Sequence, residues 1–557
     1  MRWLGVVGLD VFQFHGFQNR RLTLHLFLQM LHEFALFDNH PIQLFDLMFE
    51  MGDVCFDAFE PLQSFSIHAE NLASAITQSR GRRNGLAAQI SLALRYEQNL
   101  ETLGAPKIFM AHKTQTKKPA TSVMILGVGS FAHSIGRALA DAGANVSTYL
   151  TRNYGHFPPS LVGPTFSRAA FPSPVPLLKK NGIEVVIPQS IDWALQPWAE
   201  DLLQSGVGIF SPTREAMRIE RERDFARKLC ADFKIPFPQA YVASNLLEAE
   251  KILAKHPQPF VIKNPLCSPT SPIHTILCET VEDTRAWLRH VNYAEGVFLQ
   301  EYLGRAEAGH IVLVSGGEIY SLVTNQEYKY AFNGNQGVVA GAPLGGLVER
   351  DENDKYGLAR ELIHPLLPWF RKVNYHGPIQ VTAIKVGQAS PDSSGSPSQE
   401  KLETGKMPVP RWHVIEYNIR IGVTSGPMIL RMLKNPAEIV LRTAQNKKLD
   451  LQFNEKLNFG CSLTLAGYGY PFIQVRSPHL PLEVDGKFDC DVWWNEVARG
   501  ADKKLVSTGH RIADVIALAP KLDAAIAKAY ANIRRIRVVG SYFRTDIGKS
   551  LWPPGTI

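Results

Sequence analysis

The residues with the most chemical content lie on two short stretches, GPIQVTAIKV at 377–386 and WHVIEYNIR at 412–420. Each predicts a strand. β-Branched and apolar residues alternate with other types over a strand-length window, and a Gly-Pro opens the first. Strand side chains alternate between faces, so Glu416 and Asn418 leave the same face and Arg420 extends that row. Paired as a hairpin, the two strands can set Gln380 beside them, giving one patch of carboxylate, two amides and a guanidinium. Hard oxygen donors suit Mg²⁺ (or Mn²⁺) carrying nucleotide phosphates, because magnesium takes one or two protein oxygens and keeps phosphate and water for the rest. The Arg420 fork can grip phosphate or carboxylate. On its own, the E-x-N-x-R spacing fits a solvated strand edge at least as well.

Other stretches supply further candidates. TSVMILGVGSFAHSIGRALADAGANVSTYLT, from 121, predicts strand, glycine turn, helix and second strand. Gly127 and Gly129 let the backbone turn into a helix whose first N–H groups favour an anion. The next glycine is Gly136, so the dinucleotide spacing G-x-G-x-x-G fails. A ribose phosphate and an empty structural turn are equal readings. NGIEVVIPQSIDWALQPWAEDLLQSGVGIFSPT completes a small parallel sheet near residue 213, an α/β pattern. REAMRIERERDFARKLCADF, from 214, predicts a charged helix. Lys263 ends a buried strand, and a later apolar strand ends in Gln300, Glu301, Tyr302 and Leu303, where exposed backbone can face an adenine edge.

VIEYNIRIG resembles the E-F-N-x-R-F-G segment of the phosphoribosylamine–glycine ligases, a family of the ATP-grasp superfamily. GVFLQEYLGRAEAGH is similar to that family's V-x-E-E-F-L-x-G-E-E-x-S-F, and the tail ending Arg544, Asp546, Ile547 and Gly548 is similar to its final domain. The likeness spans residues 121–550. It implies ATP with Mg²⁺ or Mn²⁺ as cofactors, and metal ligands at Gln380, Glu416 and Asn418, with Gln380 closer to the glutamine of carbamoyl phosphate synthetases. Nucleotide contacts are implied at Arg223, Lys263, Glu301, Tyr302, Leu303, Glu307, Gln326 and Lys329. Catalytic charge stabilisation is implied for Arg420 and Lys263, and substrate contacts for Gly127, Gly129, His133 and Arg420. Departures cluster at the substrate end. Phe131 replaces an Arg, Ile187-Pro188-Gln189 replaces Gly-Pro-Glu, and LCSPTSP replaces a glycine-rich phosphate flap. NGNQGVVAGAPLGG and IGVTSGPM likewise lack acidic residues of the family pattern.

At 557 residues the chain is too long for one core. With 45% hydrophobic and 20% charged residues it reads as an ordinary globular protein. A formal charge of +7, spread along the chain, is no signal for nucleic acid. Six cysteines without C-x-x-C spacing argue against zinc and against a disulfide framework. No apolar run reaches membrane-spanning length. The expected organisation is multidomain α/β and α+β: an ATP-grasp fold with a Rossmann-like N-terminal domain (119–214), the ATP-grasp domain (215–450) and a small α+β C-terminal domain (451–557). Residues 387–410, rich in Ser, Pro and Gly, read as a disordered insertion. Residues 1–118 read either as an extra helical module or, preferred, as an extension ahead of a true start near Met110 or Met124.

The expected activity is that of a cytoplasmic ATP-dependent carboxylate–amine ligase, monomeric or homodimeric, working through an acyl phosphate on small-molecule substrates, in purine biosynthesis or with a diverged substrate. The alternative is a nucleotide-binding ATP-grasp protein without catalysis.

Overall fold

The computed structural model describes residues 120–267, 275–387, 410–467, 469–472 and 478–549. The expected extension 1–118, most of the LCSPTSP loop and nearly all of the 387–410 insertion lie outside the described residues.

Glycine and β-branched runs set the N-terminal layer. β1 (Ser122–Leu126), β2 (Asn145–Leu150), β3 (Thr165–Ser167), β4 (Val185–Pro188) and β5 (Gly208–Ile209) form a parallel sheet in the order β3-β2-β1-β4-β5. Helix α1 (Gly129–Asp141) follows the glycine turn, burying Phe131, Ile135 and Leu139 with Val123 and Ile125 of β1. The opposite sheet face buries Met124, Leu126 and Tyr149 with Trp193 and Trp198. Residues 122–209 therefore form the small parallel sheet of an α/β pattern that the sequence predicts.

The charged stretch from 214 is not one helix. A 3₁₀ turn (Arg214–Met217) and a short helix (Arg218–Arg221) end at Glu222, whose backbone is extended (φ −119°, ψ 103°), before α2 (Arg223–Asp232) begins. Glu222 pairs with Leu266, and the Arg223 N–H donates to the Pro265 carbonyl at 3.0 Å. This cross-link outweighs local helix propensity and fixes Arg223 at the head of α2.

Two sheets then face each other. β6 (Ala240–Ala243), β7 (Phe260–Lys263), β8 (Ile276–Leu277) and β9 (Val297–Glu301) form the smaller, ordered β6-β9-β7-β8. The larger is antiparallel. It contains β10 (Glu307–Ser315), β11 (Glu318–Glu327), β14 (Gly345–Arg350), β15 (Gly377–Val386), β16 (Arg411–Asn418) and β17 (Phe459–Ala466), in the order β16-β15-β10-β11-β14-β17. The small β12 (Tyr330–Phe332) and β13 (Gln336–Val339) pair separately. The large sheet continues from β17 into the strands Arg511–Ala519 and Asp491–Trp494, making eight. The segment after 450 is thus stitched to the central sheet instead of standing beside it, because β17 pairs directly with β14. One face of the large sheet packs on the helix Leu358–Leu362 and its neighbours, the other on the helices Ser425–Met432 and Pro436–Ala444.

Candidate active site

The strand pair read from the sequence forms as expected. β15 and β16 are antiparallel, with Gln380 opposite Asn418 and Thr382 opposite Glu416. Cross-strand partners share a face, so Gln380, Thr382, Glu416 and Asn418 line one side of the hairpin. Across β10, Gly309 continues this face. A Cβ at Gly309 would lie 2.4 Å from Asn325 Oδ1 and 3.3 Å from Gln380 Nε2, so only glycine lets those two amides meet over the strand. The buried Asn325 Oδ1 and Thr382 Oγ1 have no partner among the described residues.

Alternation along β11 brings Asn325 and Glu327 to this face and turns Gln326 away. Gln326 instead accepts from the Tyr328 hydroxyl at 3.2 Å, on the side facing the C-terminal segment. Glu327 was not singled out from the sequence. Its even-spaced partnership with Lys329 and Asn325 was the available signal.

Lys329 is the hub. Its Nζ lies 2.9 Å from Glu307 Oε2 and 3.1 Å from Glu416 Oε1, and Arg223 Nη1 stands 4.0 Å from Glu416 Oε2. Lys263, at the end of β7 and 3% exposed, donates to Gln300 Oε1 at 2.7 Å. Gln300 Nε2 in turn donates to the Ile415 carbonyl at 3.1 Å. The pairing of β15 and β16 shifts register at Ile415, and Gln300 uses the carbonyl freed there to tie the two sheets together. Arg420, past the strand end, keeps its Nη2 3.4 Å from Asn418 Oδ1 and its Nε 3.4 Å from the buried Glu220. Glu220 also accepts from the Ile419 N–H at 2.6 Å. Four carboxylates (Glu220, Glu307, Glu327, Glu416) thus meet four cations (Arg223, Lys263, Lys329, Arg420).

The electrostatics follow from that crowding. Burial lowers Lys263, with Arg223 beside it adding to the effect, and brings its pKa down to about 7. Burial would raise the Glu416 carboxyl, but Lys329, Lys263 and Arg223 outweigh it and hold Glu416 well below the usual carboxylate range. Burial would lower Lys329 as well, yet Glu307, Glu416 and Glu327 hold it well above the ordinary lysine value. Glu327 is pushed up by burial.

At the end of β9 the backbone N–H groups of Glu301 and Tyr302 are already used, donating to Gln239 and Pro259 at 2.8 and 3.0 Å. The Glu301 carboxylate accepts from the Gln239 N–H at 3.1 Å, and the Tyr302 hydroxyl donates to Glu279 at 2.5 Å. The next N–H, that of Leu303, has no partner among the described residues.

Gly127, Gly129 and His133, expected at a substrate, are closed to one. The Val128 N–H donates to Gln189 Oε1 (3.0 Å), the Gly129 N–H to the Gly155 carbonyl (2.9 Å) and the Ser130 N–H to Asn495 Oδ1 (3.1 Å). Gly129 has φ +58°, and a Cβ there would sit 1.9 Å from Asn495 Oδ1. The donors of the turn are spent on the chain's own oxygens. His133 is 6% exposed, accepts from the Trp494 N–H at 3.1 Å and packs edge-on against Trp493. Burial, with Arg137 adding to it, lowers its pKa to about 4, so it is a neutral packing residue between α1 and the C-terminal strands.

Comparisons with known proteins agree with this architecture. The family model for the C domain of phosphoribosylglycinamide synthetase matches residues 461–550. A phosphoribosylamine–glycine ligase of Streptomyces coelicolor is 25% identical over 355 residues, 63% of this chain and 80% of the relative. One from Leptospira interrogans is 22% identical over 386 residues, 67% of this chain and 84% of the relative. The crystal structure of the Thermotoga maritima phosphoribosylamine–glycine ligase superposes with a TM-score of 0.59 at 21% identity, covering 76% of this chain and all of that one. A biotin carboxylase domain from Hydrogenobacter thermophilus, crystallised with MgADP, ADP and bicarbonate, gives a TM-score of 0.55 at 14% identity, covering 76% of this chain and 91% of that domain. The fold is that of the ATP-grasp proteins.

Proposed function

We propose that this chain, which belongs to the phosphoribosylamine–glycine ligase family of the ATP-grasp superfamily as a divergent member, is an ATP-dependent ligase forming a carbon–nitrogen bond through an acyl phosphate. The carrying observation is the ring of four cations and four carboxylates between the two sheets, centred on Lys329 between Glu307 and Glu416.

In this reading a carboxylate oxygen attacks the γ-phosphorus of ATP, ADP leaves, and an amine then displaces phosphate from the acyl carbon to leave an amide and inorganic phosphate. The Leu303 N–H meets the adenine edge and Glu307 the ribose hydroxyls. Lys263, Arg223 and Lys329 neutralise the phosphates, and Arg420 faces the transferring group. Charge placement and orientation supply the rate, so no side chain serves as nucleophile. Gln380, Glu416 and Asn418 would hold Mg²⁺ or Mn²⁺, with Glu327 close by. The donors are hard oxygens, and the unpartnered Asn325 Oδ1 and Thr382 Oγ1 beside them fit a polar occupant. Such an ion, when bound, would supply positive charge that offsets the charge on the transferring group.

A nucleotide-binding protein without turnover is the second reading, favoured by the filled glycine turn. Glu416→Gln separates the two. As a ligase the variant loses substrate-dependent ADP release by at least about 100-fold while its far-ultraviolet circular dichroism is unchanged. Undiminished ADP release would remove the metal assignment, and absence of release in the wild type with every carboxylate and amine tried would favour the second reading.

A further inference from the structure

The closed turn leaves open where an acceptor amine is recognised. Open α/β sheets bind ligands in the crevice beyond the carboxyl ends of their strands, at the point where the strand order reverses. In the order β3-β2-β1-β4-β5 that point lies between β1 and β4. A cavity of about 390 Å³ sits there, bordered by Leu126 and Pro188 at the two strand ends and reaching over β2 to Tyr149. Leu126 and Tyr149 face the core on the side of the sheet away from α1, and the cavity shares Gln189 with the filled turn, whose Val128 N–H that residue accepts.

Its polar lining is asymmetric. Arg168 donates to the Thr151 carbonyl at 3.3 Å and lies close enough to the Tyr149 phenol to act on it electrostatically. Arg152 donates to the Tyr154 hydroxyl at 2.6 Å and stands 3.8 Å from Asp192 Oδ2. The Ser190 hydroxyl holds that same carboxylate oxygen at 2.8 Å, which orients Asp192. Trp193, 4% exposed and also in the lining, has an indole N–H without a partner among the described residues. Two guanidiniums against one carboxylate leave one positive charge in surplus.

We propose that this pocket binds the acceptor amine as an aminocarboxylate, a small molecule carrying its own carboxylate in place of a sugar phosphate. The carboxylate meets the Arg168 and Arg152 forks, and the amine meets Asp192. A phosphate dianion fits worse, because Asp192 stands against it and only a single positive charge is in excess. A cavity of this size holds an amino acid with a small or medium side chain. That the bound molecule is the acceptor rests on the ligase reading above; that it binds here does not.

Calorimetric titration of the full chain without nucleotide tests the site, using the twenty amino acids, ribose 5-phosphate and inorganic phosphate as probes. At least one amino acid binds, and both Arg168→Ala and Asp192→Asn weaken it tenfold or more while ATP affinity stays within twofold. Glu416→Gln leaves amino-acid binding unchanged. The assignment is overturned if no amino acid binds the wild type, if ribose 5-phosphate or phosphate binds as tightly as the best amino acid, or if neither pocket variant weakens binding. An amino acid that binds in this way but never stimulates ADP release upholds the pocket and sinks the ligase reading instead.

Discussion

If a triphosphate binds against Lys263 as proposed above, binding is expected to make this protein take up a proton, with Lys263 as the residue that accepts it. In the free chain Lys263 is 3% exposed, has Arg223 and Lys329 as nearby cations, and titrates at about 7. A triphosphate laid against its Nζ supplies the opposite charge that burial has withheld and moves the pKa back toward the ordinary lysine value. At pH 8 the free site is roughly one-tenth protonated, so binding takes up about 0.9 proton; at pH 7 the uptake is about 0.5, and at pH 6 about 0.1. Calorimetry of ATP binding in buffers of different ionisation enthalpy reads this number directly, since the observed enthalpy varies linearly with the buffer's and the slope is the uptake. Lys263→Met isolates the contribution, because other groups in the cluster respond to the ligand in both proteins. The reasoning fails if the wild type shows no excess uptake over Lys263→Met at pH 8, or if the excess grows as pH falls to 6.

The same shift has a stability side with a definite sign. An unfolded lysine keeps its proton to about pH 10.4. Between pH 7 and that value the unfolded chain therefore binds more protons, and this residue's contribution to stability rises with pH across the window. Below pH 7 the penalty is complete. A displacement from 10.5 to about 7 sets a ceiling of roughly 5 kcal/mol on that penalty. Lys263→Met recovers only part of it, since Gln300 Oε1 loses its donor.

Two further outcomes follow from the closed N-terminal turn. His133, held neutral with a pKa of about 4, costs stability as pH falls from 6.5 toward 4, because the unfolded chain then binds the extra proton. The loss reaches about 3 kcal/mol, and the urea midpoint of His133→Asn falls less steeply than wild type between pH 6.5 and 4.5. Asn495→Gly with Gln189→Gly frees the Val128 and Ser130 N–H groups at the head of α1. The double variant then binds inorganic phosphate at millimolar concentration by phosphorus NMR titration where the wild type does not, and equal binding by both would show that the turn is not closed in solution.

Strand periodicity carried most of what the sequence disclosed. The stretch 377–386 is β15 to the residue, and the spacing of Glu416 and Asn418 correctly put them on one face because alternation is a property of the backbone and needs no partner to be known. Gln380 followed once the strands were paired. The same rule, applied along β11, would have exchanged Gln326 for Glu327. The family resemblance pairs Gln326 with Lys329, whereas strand geometry sends the two to opposite sides. The helix expected from 214 to 233 broke for a different reason. The bridge between Glu222 and Leu266 is a long-range pairing that no local propensity encodes.

The turn at Gly127 and Gly129 marks where sequence reasoning ran out. Gly129 is required by its φ of +58° and the approach of Asn495, Gly127 by the approach of Gln189 Oε1, and the same two glycines would be required by a bound phosphate. A glycine reports that something comes close without saying what. Here the approaching atoms are Gln189 Oε1, the Gly155 carbonyl and Asn495 Oδ1, the last supplied from 366 positions further along the chain. Gln189 is also the residue that stands where the resembling family has a carboxylate. As a neutral amide Gln189 satisfies one donor, the Val128 N–H, and brings no charge of its own. The cations around Lys329 are the ones the proposed function assigns to a triphosphate, while the N-terminal turn is filled from within. A filled turn beside an open cluster of cations is what the proposed ligase predicts if it uses ATP with an acceptor other than a sugar phosphate.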